Sequence, residues 1–522
     1  MSLDSLPNIV FVNVLIMAPQ VDQFMIGLTS KRAWTLYNKL PIDQDIFGIS
    51  LKKSTPLHDD NTSYNFPPNV TTLELRGSYD CVDIAPGFIP STITTLKYNV
   101  DRPLNTEAIP MSVVNLEFSR SHNAPYLNYL TGLIPSTLKS LSLENYHLHP
   151  VSIPTSLTKL KITHRINQLI PPINNLHNLT ELYIHSEINP ITWASSPELK
   201  SLTTLHIGRL TSIPPIGFFS NAIKKLTFDY YTYDLTPGLL PTSLETLSIS
   251  KAFNVGLKAG CLPSSLTYLS LDQYDQPIQI GALHEGLVYF DIGSTFTHNI
   301  QEGVLPTSLK TFIFSRLICN ETQHIILPDQ LENLSLSVYS ESVCTLPSRL
   351  KSLAIKSFHS TTMISPLPPT LETFSVSCCS NGVDIAIRNC PSLTSLECPS
   401  NLFNSDIQPF VPLGLRSLVI LVSTTPFTLP LDNSWSNLQE IVVHLHDNYN
   451  LDSRSSWEDT MSWLRSSMTN NRSIRALISA KRSFDIYVDN GLKPRFSVRH
   501  DLSDDGKTMV FTSRFRYKYF NF

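Results

Sequence analysis

Along most of the chain the apolar residues fall into one phrase. In "LTYLSL" (Leu266–Leu271), Leu266 is followed three residues later by Leu269 and then by Leu271. Leu269 and Leu271 are two apart and share one face of an extended strand, while Ser270 between them faces the other way. A proline commonly stands three residues before the first apolar position, giving P-x-x-L-x-x-L-x-L. With any apolar residue allowed in the leucine positions, the central one falls at Leu73, Leu96, Leu116, Leu141, Leu160, Leu182, Leu205, Leu226, Leu247, Leu269, Phe290, Phe312, Leu334, Leu353, Phe374, Leu396, Leu418 and Ile441. These are eighteen copies at spacings of 19–25 residues. So short a strand cannot bury its apolar face alone, but stacked copies with parallel strands bury each column continuously. The pattern predicts a mainly β solenoid of about 18 coils over residues 65–443.

The leading proline belongs just outside the ladder. It fixes φ near about −65° and brings no N–H that would need a partner, so it marks the corner that feeds each strand. It is present in twelve copies and is lost from its register between 172 and 228. Glycine precedes it by a few residues at Gly238, Gly260 and Gly303, where a tight bend is expected. The outer side of the coils has no 3.6-residue apolar period, so turns or 3₁₀ pieces are expected there rather than helices.

Alternation also exposes columns of side chains. The residue after each central position gives Lys161, Tyr183 and His206, and the residue before it gives Lys159, Glu181, Tyr268 and Tyr289. The zone from Lys159 to His206 is the richest in charged and aromatic groups. Aromatic anchors with polar neighbours are the usual energetic centre of a protein interface. These seven residues are the candidate protein-binding set, on a strand face expected to be concave.

The fuller phrase is longer than a leucine pattern. Residues 253–271 run F-N-x-x-L-x-x-G-x-L-P-x-S-L-x-x-L-x-L, and 231–249 and 296–314 keep the Gly-x-Leu-Pro-x-Ser-Leu part. This resembles the FNIP repeat, a relative of the leucine-rich repeat. In other copies the opening Phe-Asn is Tyr-Thr, Tyr-Asp or absent.

The ends differ. In residues 1–50, Leu6, Pro7, Val10, Val14, Leu15, Phe24, Leu28, Ser30, Lys31, Arg32 and Trp34 resemble an F-box in order and type. Asn8 replaces the usual acidic residue, and Ala33 is an extra residue before Trp34. The resemblance implies docking to an adaptor of cullin-type ubiquitin ligases through Leu6, Pro7, Val14, Leu15, Leu28 and Trp34. A small helical cap that shields the first coil is the other reading of the same segment. Residues 451–522 read as an α+β C-terminal cap: a helix opened by a Ser455–Glu458 capping box, then strands in "SFDIYVDN" and "KTMVFTSRFRYKYFNF". The alternation of Arg514, Arg516 and Lys518 with aromatics reads as a guarded edge strand rather than a nucleic-acid surface.

Composition narrows the function. The 522-residue chain has net charge −4 and only 16% charged residues, which gives no electrostatic case for nucleic acid or an anionic membrane. The apolar run Asn8–Ala18 is too short to span a bilayer and lacks a basic flank before it. The eight cysteines contain no C-x-x-C pair and read as reduced thiols. The expected setting is soluble and cytoplasmic. No phosphate-binding loop, dinucleotide fingerprint, nucleophile elbow or H-E-x-x-H zinc motif is present. His444 and His446 share a strand face, but such a pair is more often a polar surface than a metal site. No catalytic residue, cofactor or metal is expected. The sequence points to a protein-interaction scaffold, either a substrate receptor of a ubiquitin ligase or a plain repeat scaffold with a capped N-terminus.

Overall fold

The computed structural model describes residues 46–51, 70–77, 84–100, 106–119, 134–144, 153–163, 175–190, 199–314, 325–339, 345–358, 367–379, 387, 390–399, 412, 414–422, 440–445, 475–480, 484–489 and 492–497. The F-box-like residues, the helix expected from Ser455 and the strand expected from Lys507 lie outside them. The chain divides into two units, Met1–Leu271 and Asp272–Phe522.

The first unit holds β1 (Ile46–Leu51), β2 (Thr72–Gly77), β3 (Thr95–Val100), β4 (Asn115–Phe118), β5 (Ser140–Glu144), β6 (Lys159–Thr163), β7 (Glu181–Ile188), β8 (Thr204–Leu210), β9 (Lys225–Tyr230), β10 (Thr246–Lys251) and β11 (Tyr268–Leu271). Each strand pairs in parallel with the next. The second unit holds β12 (Tyr289–Asp291), β13 (Thr311–Phe314), β14 (Asn333–Tyr339), β15 (Ser352–Phe358), β16 (Thr373–Cys379), β17 (Ser395–Pro399), β18 (Ser417–Val422), β19 (Glu440–Leu445) and β20 (Arg475–Ala480), again parallel in chain order. Then β21 (Phe484–Asp489) and β22 (Leu492–Ser497) turn back antiparallel.

Each of the eighteen central apolar residues lies in one of β2–β19, and within each unit they stand directly opposite one another. Leu160↔Leu182↔Leu205↔Leu226↔Leu247↔Leu269 is one such run. The coil number differs from the expected 18, because β1 adds a parallel strand before the first unit's copies and β20 adds one after the second unit's. Both escaped the pattern because their sequences depart from it. Gln44 stands where the phrase before β1 has its first apolar residue, and Ser473 stands in the same place before Ala476 of β20.

The repeat phrase has a physical explanation position by position. The proline is the first residue of a β-turn, and its carbonyl accepts the N–H of the buried apolar residue three positions on, as in Leu244 N to Pro241 O at 3.1 Å and Leu266 N to Pro263 O at 3.0 Å. The serine before that residue is a link between coils. The hydroxyls of Ser112, Ser156, Ser265 and Ser308 donate to the carbonyls of Ile93, Leu138, Leu244 and Leu287 on the preceding coil, at 2.6–2.8 Å. The glycine sits at the third position of a second turn with φ near +80°, at Gly238, Gly260, Gly281 and Gly303. That is the place in a type II turn where only glycine is unstrained. The described connections are mostly turns, with a 3₁₀ piece at Thr106–Ala108, a 3₁₀ residue at Ile387 and an α-helical residue at Pro190.

Leucines of the strand columns are fully buried; Leu226, Leu247 and Leu269 have 0% exposure. Burial of each stabilises by about 1.5–3 kcal/mol relative to an exposed side chain. Buried rings also meet from coil to coil: Tyr231 and Phe253 lie tilted with centres 6.0 Å apart in the first unit, and Tyr274 and Phe296 stack at 6.2 Å in the second. Cys261, Cys378 and Cys390 are free thiols. Among the described residues no helix is long and apolar enough to cross a membrane.

Candidate interaction site

The outward face of β6–β9 gathers five of the seven candidate residues. Strand alternation puts Lys159 and Lys161 out from β6, and Glu181, Tyr183, His185 and Glu187 out from β7, with buried residues between them. The register then aligns Lys161↔Tyr183↔His206 in one row and Lys159↔Glu181 in the next. Lys159 Nζ lies 2.9 Å from Glu181 Oε2 and 5.2 Å from the centre of the Tyr183 ring. The Tyr183 hydroxyl donates to Glu181 Oε2 at 3.1 Å. The bond to Glu181 raises the Lys159 pKa, and the same bond holds the Glu181 carboxyl below its usual range. Partial burial, with the Glu181 charge behind it, pushes the Tyr183 phenol up. The outcome is a fixed, charged and aromatic surface held by one ion pair.

The patch continues through His206 into a cluster with His185 and Asp229, neither of which was among the candidate residues. His206 Nε2 lies 3.0 Å from Asp229 Oδ1, and His185 Nδ1 lies 3.2 Å from Asp229 Oδ2. The two imidazole rings are 4.3 Å apart, and Tyr183 is 6.1 Å from His206. Burial moves the His206 pKa below the ordinary histidine value; contact with Asp229 opposes this, while His185 and Lys161 reinforce it.

The local backbone makes this meeting possible. β7 carries one extra residue against β8, so that Ile184 pairs with Ile207 but Glu187 pairs with Arg209. His185 and Ser186 thus oppose the single residue Gly208, which is a β-bulge. A Cβ on Gly208 would stand 2.5 Å from the His185 carbonyl carbon and 2.6 Å from its oxygen, so no side chain fits there. With no side chain on the middle strand, Asp229 of β9 reaches across β8 to His185 of β7. The signal was in the sequence: the positions three after Leu182, Leu205 and Leu226 are His185, Gly208 and Asp229.

The remaining two candidates lie elsewhere. Tyr268 shares the row of Lys159 and Glu181, but on β11, four strands beyond β7. Tyr289 belongs to the second unit, where it pairs with Thr311. Leu6, Pro7, Val14, Leu15, Leu28 and Trp34 lie outside the described residues.

Comparison with known families matches FNIP repeats at residues 214–252 and 253–295. No curated protein matches the chain. Among solved structures, the chain is similar to CroV588, described as a novel circular leucine-rich-repeat protein, with 20% identity and a TM-score of 0.49 over 78% of this chain and 67% of that one. It is also similar to a leucine-rich-repeat protein of Leptospira interrogans, with 15% identity and a TM-score of 0.30 over 76% of this chain and 89% of that one.

Proposed function

We propose that the protein is a binding scaffold that holds a protein partner on the outward strand face of β6–β9. The observation that carries this reading is the run Lys159–Glu181–Tyr183–His206, in which charged groups and rings fix one another on a surface built from buried leucine columns. A side chain already held in place loses little entropy on binding, which favours such a patch as an interface centre. Tyr183→Ala combined with Lys161→Ala in the full chain is expected to weaken partner recovery at least tenfold in quantitative co-purification and to leave the melting temperature within 2–3 °C, as exposed substitutions do. Recovery equal to the wild type would remove this face from the account.

We further propose that the N-terminus, through Leu6, Pro7, Val14, Leu15, Leu28 and Trp34, docks an adaptor of a cullin-type ubiquitin ligase, so that the repeats present a substrate. The support is the order of Leu-Pro, apolar positions and Ser-Lys-Arg before tryptophan, ahead of a repeat array. Pro7→Ala with Leu15→Asp should abolish adaptor co-precipitation without lowering the melting temperature. If no adaptor accompanies the wild type and Leu15→Asp lowers the melting temperature, the segment is a cap alone.

A further inference from the structure

We infer that His185, His206 and Asp229 form a binding site for a divalent transition-metal ion of the zinc type, bridging three consecutive coils. One ligand atom from each residue can be chosen so that all three lie within 4.8 Å of one another. Donors bound to a tetrahedral zinc ion at ~2.0–2.1 Å stand about 3.3 Å apart, and the two histidine–aspartate approaches, one to each carboxylate oxygen of Asp229, are 3.0 and 3.2 Å.

Three features separate this cluster from an ordinary surface ion pair. The chemistry suits a borderline ion, since two imidazoles and one carboxylate favour zinc and its neighbours over calcium or magnesium, which take oxygen ligands. His206 Nε2 is buried and stands 3.0 Å from Asp229 Oδ1, so a ring nitrogen and a carboxylate oxygen already face one another in the cluster. Finally, the backbone is shaped for the meeting. The bulge in β7 and the bare Gly208 let residues two strands apart touch, an arrangement the rest of the repeat does not need. Three protein donors leave at least one coordination position, and with His185 and Asp229 about 30% exposed it faces solvent. A water molecule or a donor from the bound partner would fill it.

The test uses the full chain, stripped with a chelator and titrated with zinc against a chromophoric competitor. We expect one tight equivalent per chain, a melting temperature that rises with zinc concentration by mass action, and a visible spectrum of tetrahedral type with cobalt. His206→Ala and Asp229→Asn should each reduce affinity by more than the ~10–100-fold lost when an outer-sphere partner is removed. His444→Ala should leave it unchanged. Melts in chelator show whether each variant is folded; if His206→Ala is not, Asp229→Asn and the cobalt spectrum still decide. Wild type that binds no more tightly than the His185→Ala, His206→Ala, Asp229→Asn triple variant, or loss of the tight equivalent in His444→Ala, overturns the site.

Discussion

The coils around β10 and β11 and the coils around β7 to β9 are built on the same leucine column, yet they differ in nearly everything else. In the former, Pro241 and Pro263 open the corner turns, Ser243 and Ser265 link coil to coil, and Gly238 and Gly260 take the left-handed turn position. In the latter the prolines are gone, and Leu176, Leu199 and Ser220 carry the same turns, accepting from Leu179, Leu202 and Ile223 at 3.0–3.1 Å. A bulge interrupts β7, and the outward face holds two histidines, an aspartate, a tyrosine and an ion pair. The comparison teaches that the turn needs only an accepting carbonyl and a buried residue three positions on. Proline improves the turn but does not define it. Where the consensus is relaxed the leucine column stays paired while the register shifts by one residue after Ile184, and the histidine–aspartate cluster sits at that shift.

The largest expected effect tests the part the two regions share. Leu269→Asp places a carboxylate in a column with 0% exposure, and we expect a loss of at least about 4 kcal/mol, because an unpaired charge is added to a cavity. Ser270→Asp, one residue away on the half-buried outward face, should cost no more than about 1 kcal/mol. Equal losses in thermal or urea melts would put the strand phase wrong.

The next effect separates the regions by their glycines. Gly208→Ala drives a methyl into the His185 backbone, and we expect a loss of about 2–3 kcal/mol together with loss of the His185–Asp229 contact. Gly238→Ala meets nothing within 4 Å and should lose only the about 1–2 kcal/mol of a left-handed alanine. If Gly208→Ala is the milder of the two, the bulge is not the feature that holds the cluster.

A smaller effect distinguishes link from corner. Ser265→Ala should cost about 1 kcal/mol through loss of its bond to the Leu244 carbonyl, and Pro263→Ala less than that, since Leu176 and Leu199 do the same work without the ring. The smallest perturbation is chemical. At pH 8 Cys378, exposed on β16, should alkylate well before Cys390, which is fully buried and whose thiol is pushed up to about 11 by burial. Peptide-mapped labelling rates measure this, and similar rates would question the second unit's packing.

The ladder was legible because its signal is dense. A leucine two residues from another, at a nearly fixed spacing, has one physical solution, and Leu73 through Ile441 all lie in strands. β1 and β20 were not legible, since Gln44 and Ser473 break the phrase while the backbone pairing continues. The role of the motif serine was also hidden, because a hydroxyl that bonds to the previous coil's carbonyl looks the same in sequence as a surface hydroxyl. Of the site, Lys159, Lys161, Glu181, Tyr183 and His206 follow from alternation alone. His185 and Asp229 also fall on outward positions, but their meeting does not follow from alternation, because it crosses an intervening strand at a bulge, past the missing side chain of Gly208.

The most direct test of the central claim, that the departure from the repeat is where a partner binds, is a paired co-purification from the same cells. One arm carries Lys161→Ala and Tyr183→Ala on β6 and β7, and the other carries Thr246→Ala and Tyr268→Ala on β10 and β11; both are compared with wild type at matched expression and melting temperature. The account predicts loss of the bound protein from the first arm and retention in the second. Loss from the second arm with retention in the first would contradict it.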